Sequence, residues 1–242
     1  MNLRVMTFNI QHGLNFIKLL NKERIIDLDR VVQTIKDNNV DIVGLNEVYN
    51  DIEGKITNEQ VIYLANKLGY DYYFFGQSIT IKGNIGYGNA IISKYPLSNF
   101  RVHKIDDPII KDEDAYYESR SIIECDLEVA NSIIKVFVTH LGLAKSEQKN
   151  GINKLLALIK NEKTILMGDF NMEENNDNII ELSKVIRNSS YLIERENKST
   201  YPSNNPNIKI DYIFTKNLEV ESSEIIDEIV SDHCPIILDI LF

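Results

Sequence analysis

The 242-residue sequence predicts a layered α/β fold in which two β-sheets pack face to face and helices cover the outside. Three observations lead there. Short β-branched and aromatic runs recur along the whole chain, amphipathic segments fall between some of them, and the two halves repeat one plan. No Pro/Gly/Ser-rich linker divides the chain, so residues 1–242 read as a single domain.

The first run, Leu3–Asn9, alternates like a strand and ends on a polar residue. Asp29–Asn38 follows with Val31, Val32 and Ile35 on one helical face, and Ile42–Glu47 is an apolar strand that ends in an acid. Thr57 and Gln60 form a capping box ahead of a helix over Asn58–Leu68. Tyr72–Gly76, Gly88–Ser93 and Ser121–Glu128 continue the strands. Ile133–His140 then ends in a histidine. Glu147–Asn161 carries Ile152, Leu155, Leu156 and Ile159 at helical spacing, and Thr164–Asp169 ends in a carboxylate. Lys209–Thr215 and Pro235–Leu241 complete the set. The order strand, helix, strand-ending-in-acid thus occurs twice, and strand ends at one edge of such a sandwich would meet in a shared cleft.

Composition narrows the partners. Twenty-six basic against thirty-six acidic residues leave a net charge of −10, and no basic patch stands out for gripping a nucleic-acid backbone. An anionic substrate stays open, because a bound divalent cation can dominate a local field. No run approaches the roughly 18 apolar residues of a membrane helix, and the first residues lack the pattern of a signal peptide, so a cytoplasmic protein is expected. Cys125 and Cys234 are too few for a thiolate metal site and read as small buried residues.

The segment richest in chemistry is Ile165-Leu166-Met167-Gly168-Asp169-Phe170-Asn171. Alternation buries Ile165 and Met167 and leaves Asp169 and Asn171 exposed on one face, unless they merely make a strand-end turn. Asp211 interrupts the apolar strand Lys209-Ile210-Asp211-Tyr212-Ile213, where a carboxylate needs a partner. A histidine from a neighbouring strand would meet that need, giving a base with an orienting group. His233, in Ser231-Asp232-His233, is such a histidine, and titrates near neutral pH in its ordinary state. Glu47 and Asn9 offer the oxygen atoms that a hard cation prefers. His140 ends its strand and, alone, reads as structural.

In order, Thr7-Phe8-Asn9, Gly44-Leu45-Asn46-Glu47-Val48, Gly88-Asn89-Ala90-Ile91, Thr139-His140-Leu141, Gly168-Asp169-Phe170-Asn171, Ile210-Asp211-Tyr212-Ile213 and Ser231-Asp232-His233 resemble the endonuclease/exonuclease/phosphatase superfamily. The resemblance runs from the first strand to the last. It implies a four-layer α/β sandwich like that of deoxyribonuclease I, with two mixed sheets between helical layers. It implies a Mg²⁺ or Mn²⁺ ion with Glu47 as principal ligand and Asn9 and Asp232 close by. It further implies that Asp169 and Asn171 position the attacking water and the phosphate, that His233 pairs with Asp211, and that His140 is the family's second histidine. Asn89 and Arg120 are expected at the substrate phosphate. Asn46 stands where the family most often has glutamine, one methylene longer.

The chemistry expected is metal-dependent phosphoester hydrolysis, with Asp169 or His233 taking the proton from water. A small or lipid-derived phosphoester is favoured as substrate, and no protein partner is implied. A DNA or RNA nuclease with the same site is the alternative, and a non-catalytic binding module is a third reading. Asp106–Tyr117, rich in acids, reads as a solvated loop or a specificity loop that would repel a polyanion.

Overall fold

A two-residue period sorts the strand side chains into layers. In β1 (Asn2–Asn9), Leu3 and Val5 face one side while Met6 and Phe8 face the other, and both sides are buried. Strands buried on both faces require material above and below, and the computed structural model supplies it. It describes residues 2–51, 59–81, 83–111 and 113–241.

The remaining elements follow in order. They are α1 (Phe16–Leu20), α2 (Leu28–Asp37), β2 (Ile42–Asp51), α3 (Gln60–Leu68), β3 (Tyr72–Ile81), β4 (Ile85–Ser93) and β5 (Leu97–Lys104), then β6 (Ser121–Val129), β7 (Ser132–His140) and α4 (Lys145–Leu158). After these come β8 (Thr164–Asp169), α5 (Asp177–Ser183), β9 (Arg187–Asn188), β10 (Asp211–Lys216), β11 (Glu219–Ile225) and β12 (Ile236–Leu241). They form two six-stranded mixed sheets, β11-β12-β1-β2-β4-β3 and β5-β6-β7-β8-β10-β9. The orders are equivalent position by position. Each sheet has one central parallel pair, β1 with β2 and β7 with β8, joined by a helical crossover. This is the duplicated plan of the sequence.

Three apolar cores separate four layers. Leu3, Val5, Ile91, Ile123, Val136, Val138, Met167, Ile213 and Leu238 fill the space between the sheets. Phe8, Val43 and Leu45 pack outward against Val32 and Ile35 of α2 and Leu64 of α3. Phe137, Leu166 and Phe214 pack outward against Leu155 of α4 and Leu182 of α5. The structure is therefore the expected four-layer α/β sandwich. Cys125 and Cys234 lie buried in the central core. No helix among the described residues is long and apolar enough to cross a membrane.

Several expectations change. β8 is buried along its whole length, so Asp169 is 1% exposed instead of facing solvent. The opposing sheet covers the face that alternation assigned to it. The strand around Asp211 begins at Asp211 itself, and Lys209 sits buried before it. Thr57 of the capping box and Asn58, the expected start of the helix, lie outside the described residues; α3 begins at Gln60 and ends at Gly69 in the left-handed conformation. β5, β9 and β11 have no expectation behind them, because their charged residues mask the alternation.

Gly168 shows why β8 can lie so close to β7. Its φ is 147°, and a Cβ there would sit 1.8 Å from the Thr139 carbonyl oxygen. Backbone cannot give way as a flexible side chain can. Gly168→Ala is expected to cost more than about 3 kcal/mol, and the melting temperature should fall by roughly 10 °C. A variant melting within a couple of degrees of wild type would show that the strands can separate freely.

Candidate active site

The inner-face parity of the strands decides which polar residues meet. Asn9 continues the inward row of Leu3 and Val5, His140 that of Val136 and Val138, Asp169 that of Ile165 and Met167, and Asp211 that of Ile213. Register then aligns them. Asn9 lies opposite Asn46 in the first sheet, while in the second Asp169 lies opposite both His140 and Asp211. Where the apolar filling between the sheets stops, these side chains begin.

Glu47 reaches the same end by breaking the alternation. The β2–β4 register shifts between Leu45 and Val48, and Glu47 takes a left-handed φ of 59°. Asn46 and Glu47 therefore both serve the open end of the sandwich. Asn46 is fully buried, and its Nδ2 donates to Asn89 Oδ1 at 2.8 Å and to the Thr139 carbonyl at 2.9 Å. Its Oδ1 accepts the Asp169 amide at 3.0 Å. Glu47 instead lines an open cleft of about 380 Å³ together with Arg120, His140, Asp169, Asn171, Asp232 and His233. Leu143, Tyr201, Ile208 and Ile210 form its apolar wall. A pocket of about 410 Å³ between Arg4, Arg195 and residues 221–225 is larger, but holds no comparable histidine–carboxylate group.

Seven of the ten expected residues thus line the cleft directly. The other three lie just beneath it. Asn9 is buried, and its Nδ2 donates to Glu47 Oε1 and Asp169 Oδ2, both at 3.1 Å. Its Oδ1 accepts the Gln11 amide, so nitrogen and not oxygen faces the acids, contrary to the expectation for a metal ligand. Asn89 is likewise buried, with Oδ1 taken by Asn46 and Nδ2 donated to the Ser121 carbonyl at 3.0 Å. Its amide is engaged between strands and does not face the cleft, where a phosphate contact was expected. Asp211 accepts from the Thr200 hydroxyl at 2.6 Å and pairs with His233 Nδ1 at 2.9 Å. The histidine partner comes from the segment before β12, across the sandwich, and not from a neighbouring strand of the same sheet.

The two histidines sit in opposite fields. Burial works against a charged His233, but Asp211, Asp169 and Asp232 outweigh it and lift its pKa to about 10. The same group holds Asp169 up at about 7, chiefly by burial, with His233 opposing and Asp211 adding to the rise. His140 is driven well below its ordinary range by burial, then by Arg120 and His233. Each of these favours its neutral form. The Arg120 guanidinium, 3.2 Å from His140 Nδ1, can only donate, so Nε2 carries the proton. That N–H faces Asp169 Oδ2 at 3.4 Å, whereas Asn171 Nδ2, 3.1 Å away, is itself a donor and cannot accept from it.

Asn171 adopts a left-handed φ of 52°, with its N–H donated to Asp169 Oδ1 and its Nδ2 to the Leu141 carbonyl, both at 2.9 Å. Sequence reasoning missed the supports around these groups. Buried Gln148 donates to the Asn171 carbonyl, and Gln11 Nε2 donates to Asp232 Oδ2 at 2.8 Å. An amide carries no charge pattern to mark it in a sequence. Asp106–Tyr117 forms no helix or strand where described, and its Glu113 carboxylate accepts the Lys145 and Ser146 amides at the start of α4. None of its described residues lines the cleft.

Two groups can hold a cation. Ligand atoms of Asp169, Asp211 and His233 lie within 4.8 Å of one another, but Asp211 and His233 already pair with each other, which suits proton transfer better. Glu47 and Asp232 offer carboxylate oxygens at the cleft, the donor type that Mg²⁺ and Mn²⁺ prefer. Burial pushes the Asp232 carboxyl up, His233 opposes, and the negative charge of Glu47 pushes it further. A cation between the two acids would relieve that crowding.

The model of the endonuclease/exonuclease/phosphatase family matches residues 6–127 and 139–233. Several solved structures share the fold. An endonuclease/exonuclease/phosphatase from Beutenbergia cavernae is 22% identical with a TM-score of 0.83, over 99% of this chain and 71% of that one. A mannosyl-6-phosphatase from Bacteroides thetaiotaomicron is 16% identical with a TM-score of 0.76, over 99% and 100%. The human Nocturnin catalytic domain with bound sulfate is 17% identical with a TM-score of 0.71, over 100% and 94%. No functionally curated protein matches the sequence significantly.

The raised pKa values fix a pH dependence of stability. Below about 6.5, His233 is charged in folded and unfolded chains alike, and its pairing with Asp211 stabilises the fold in full. That contribution is lost as pH rises towards 10. Asp169, raised from 3.8 to about 7, acts in the same direction over its own range. In chelator, the melting temperature should fall from pH 6.5 to 10, and Asp211→Asn should flatten the fall. A wild-type curve that rises across this window would contradict the charged pair.

Proposed function

The chain belongs to the endonuclease/exonuclease/phosphatase family and is a metal-dependent phosphoesterase, and from that premise we propose that it hydrolyses a small or lipid-derived phosphoester. One observation carries the reading: Glu47, Asp232, Asp169, Asn171, His140, His233 and Arg120, drawn from both sheets, line a single cleft. Residues 1–242 act as one domain in this reading.

Glu47 and Asp232 would hold Mg²⁺ or Mn²⁺, with Asn9 orienting the Glu47 carboxylate through its amide. When bound, the ion would neutralise charge at the phosphoryl and leaving oxygens. Between the two candidate bases, the electrostatics favour Asp169. A carboxyl near 7 is partly ionised at neutral pH and can take a proton from water, whereas His233, near 10, already carries one. Asp169 removes the water proton as the water oxygen attacks phosphorus, and the phosphorus–oxygen bond to the leaving group breaks with the departing oxygen taking a proton from His233. His233, held by Asp211, and the neutral His140 Nε2–H donate to the negative charge that develops. Asn171 fixes the Asp169 carboxylate through its backbone N–H and presents its amide beside it. Arg120 shares its charge between Glu118 at 2.7 Å and His140, and contributes a donor for the phosphate. Asn89 supports Asn46 from below.

Two features support a small or lipid-derived substrate over nucleic acid. The chain carries a net charge of −10, which gives no field to hold a polyanion. The wall of Leu143, Tyr201, Ile208 and Ile210 offers apolar surface beside the reacting groups.

The test is turnover of aryl phosphate mono- and diesters, a choline phospholipid and plasmid DNA, each with Mg²⁺, Mn²⁺ or chelator. Hydrolysis of a small or lipid ester that ceases in chelator is expected, and Glu47→Ala should weaken metal dependence most. DNA cleavage far exceeding every small ester would overturn the substrate preference, and full turnover in verified metal-free conditions would overturn the role of Glu47.

The same substrates test the dyad. Asp211→Asn should leave the fold intact and lower turnover by about 10²–10⁴-fold, the usual range for acid–base assistance. His233→Ala should cost at least as much, and the double variant little more. Losses that multiply would show that the two residues act independently.

A further inference from the structure

Gln11 lies where β1 ends and the chain turns back over the cleft. Gln11 and His12 both adopt left-handed backbone, with φ of 45° and 46°, a conformation uncommon for glutamine. Their surroundings hold the turn in place. The Gly13 amide donates to the Ile10 carbonyl at 2.7 Å, Gln60 Nε2 donates to the His12 carbonyl at 2.8 Å, and the His12 ring stacks on Tyr49 at 4.3 Å. Unfavourable backbone that is secured from several sides marks a side chain placed for a purpose.

That side chain reaches the cation site. Gln11 Nε2 donates to Asp232 Oδ2 at 2.8 Å, and its backbone N–H donates to Asn9 Oδ1 at 3.1 Å. Its own Oε1 is buried with no hydrogen-bond partner among the described residues. A buried acceptor left unpaired is costly, and an ion or its water is a standard reason for one to persist. The arrangement also answers a deficit. Asn9 turns its nitrogen towards Glu47 and Asp169, so it gives the cation no oxygen.

We propose that Gln11 is the neutral oxygen donor of the cation site, its Oε1 directed at the ion or at a water the ion carries while its Nε2 holds Asp232 in place. This rests on the reading that Glu47 and Asp232 hold the cation. One amide then does two things: it orients a charged ligand and adds an oxygen without adding charge.

Mn²⁺ affinity of the full chain, measured without substrate by electron paramagnetic resonance titration, tests this directly. Gln11→Leu should weaken Mn²⁺ binding by about 10–100-fold, the usual effect of removing a residue that orients a metal ligand. Gln11→Glu should bind Mn²⁺ more tightly than wild type, because it keeps the oxygen and adds a charge. Melting curves in chelator establish that each variant is folded, and if Gln11→Leu is not, Gln11→Glu decides alone. Weaker binding by Gln11→Glu would assign Gln11 only its bond to Asp232 and overturn the oxygen role. Glu47→Ala in the same titration separates the two levels. A loss there with Gln11→Leu unchanged overturns Gln11 alone, and no loss in either overturns the cation reading with it.

Discussion

The site depends on the buried carboxamide of Asn46. Two sheets packed by apolar side chains alone have no reason to hold their ends at one fixed separation. Asn46 gives them one, because it belongs to the first sheet yet bonds the Thr139 carbonyl and the Asp169 amide of the second. Its second donor contact, to Asn89, passes the link on to Ser121 in β6. Every bond is 3.0 Å or shorter and shielded from water, so loss of the amide would strand several backbone groups at about 1–3 kcal/mol each. The clamp sits one residue from Glu47 and bonds Asp169 itself. The spacing between Glu47 and Asp169 is therefore held by two buried amides, Asn46 through the Asp169 N–H and Asn9 through both carboxylates.

Much of this was legible in the sequence because it rests on periodicity. Strand ends with polar residues, such as Asn9, His140 and Asp169, follow from a period of two together with an apolar run that stops. The duplicated strand–helix–strand order gave the architecture, and the ordered motifs gave the family. What alternation hid was the second sheet. Read alone, β8 appears to expose Asp169, whereas the opposing layer buries it and thereby raises its pKa. The direction of an amide was also invisible. Asn9 looks the same in sequence whether its oxygen or its nitrogen meets Glu47, and only the Gln11 amide, which occupies Oδ1, decides the matter. Tertiary pairing of Asp211 with His233 was expected, but its route across the sandwich was not, since β10 and β12 belong to different sheets.

Glu47, Asp169 and Asp232 line the cleft with Asp211 beneath it and Glu118 nearby, an acid-rich setting in which Arg120 and His233 are the main positive charges. Such a cleft repels a phosphate until a cation is present. This reconciles an acidic protein with an anionic substrate, because the ion reverses the local field at the point of contact only. A nucleic-acid backbone draws instead on positive charge spread well beyond one phosphate.

The supporting residues are nearly all amides, and charge explains why. Asn9, Gln11, Asn46, Asn171 and Gln148 each orient a carboxylate, a backbone carbonyl or a neighbouring amide within the same few ångströms. A carboxylate in place of Asn9 or Gln11 would face Glu47, Asp169 or Asp232, and at about 4 Å such a pair costs roughly 4 kcal/mol even with strong protein screening. A lysine or arginine at Asn9 or Gln11 would form an ion pair with Glu47 or Asp232. An amide both donates and accepts without joining that contest, and two of these five, Gln11 and Asn171, occupy left-handed backbone. The positions that must be charged for chemistry are charged, and the frame that aims them is neutral.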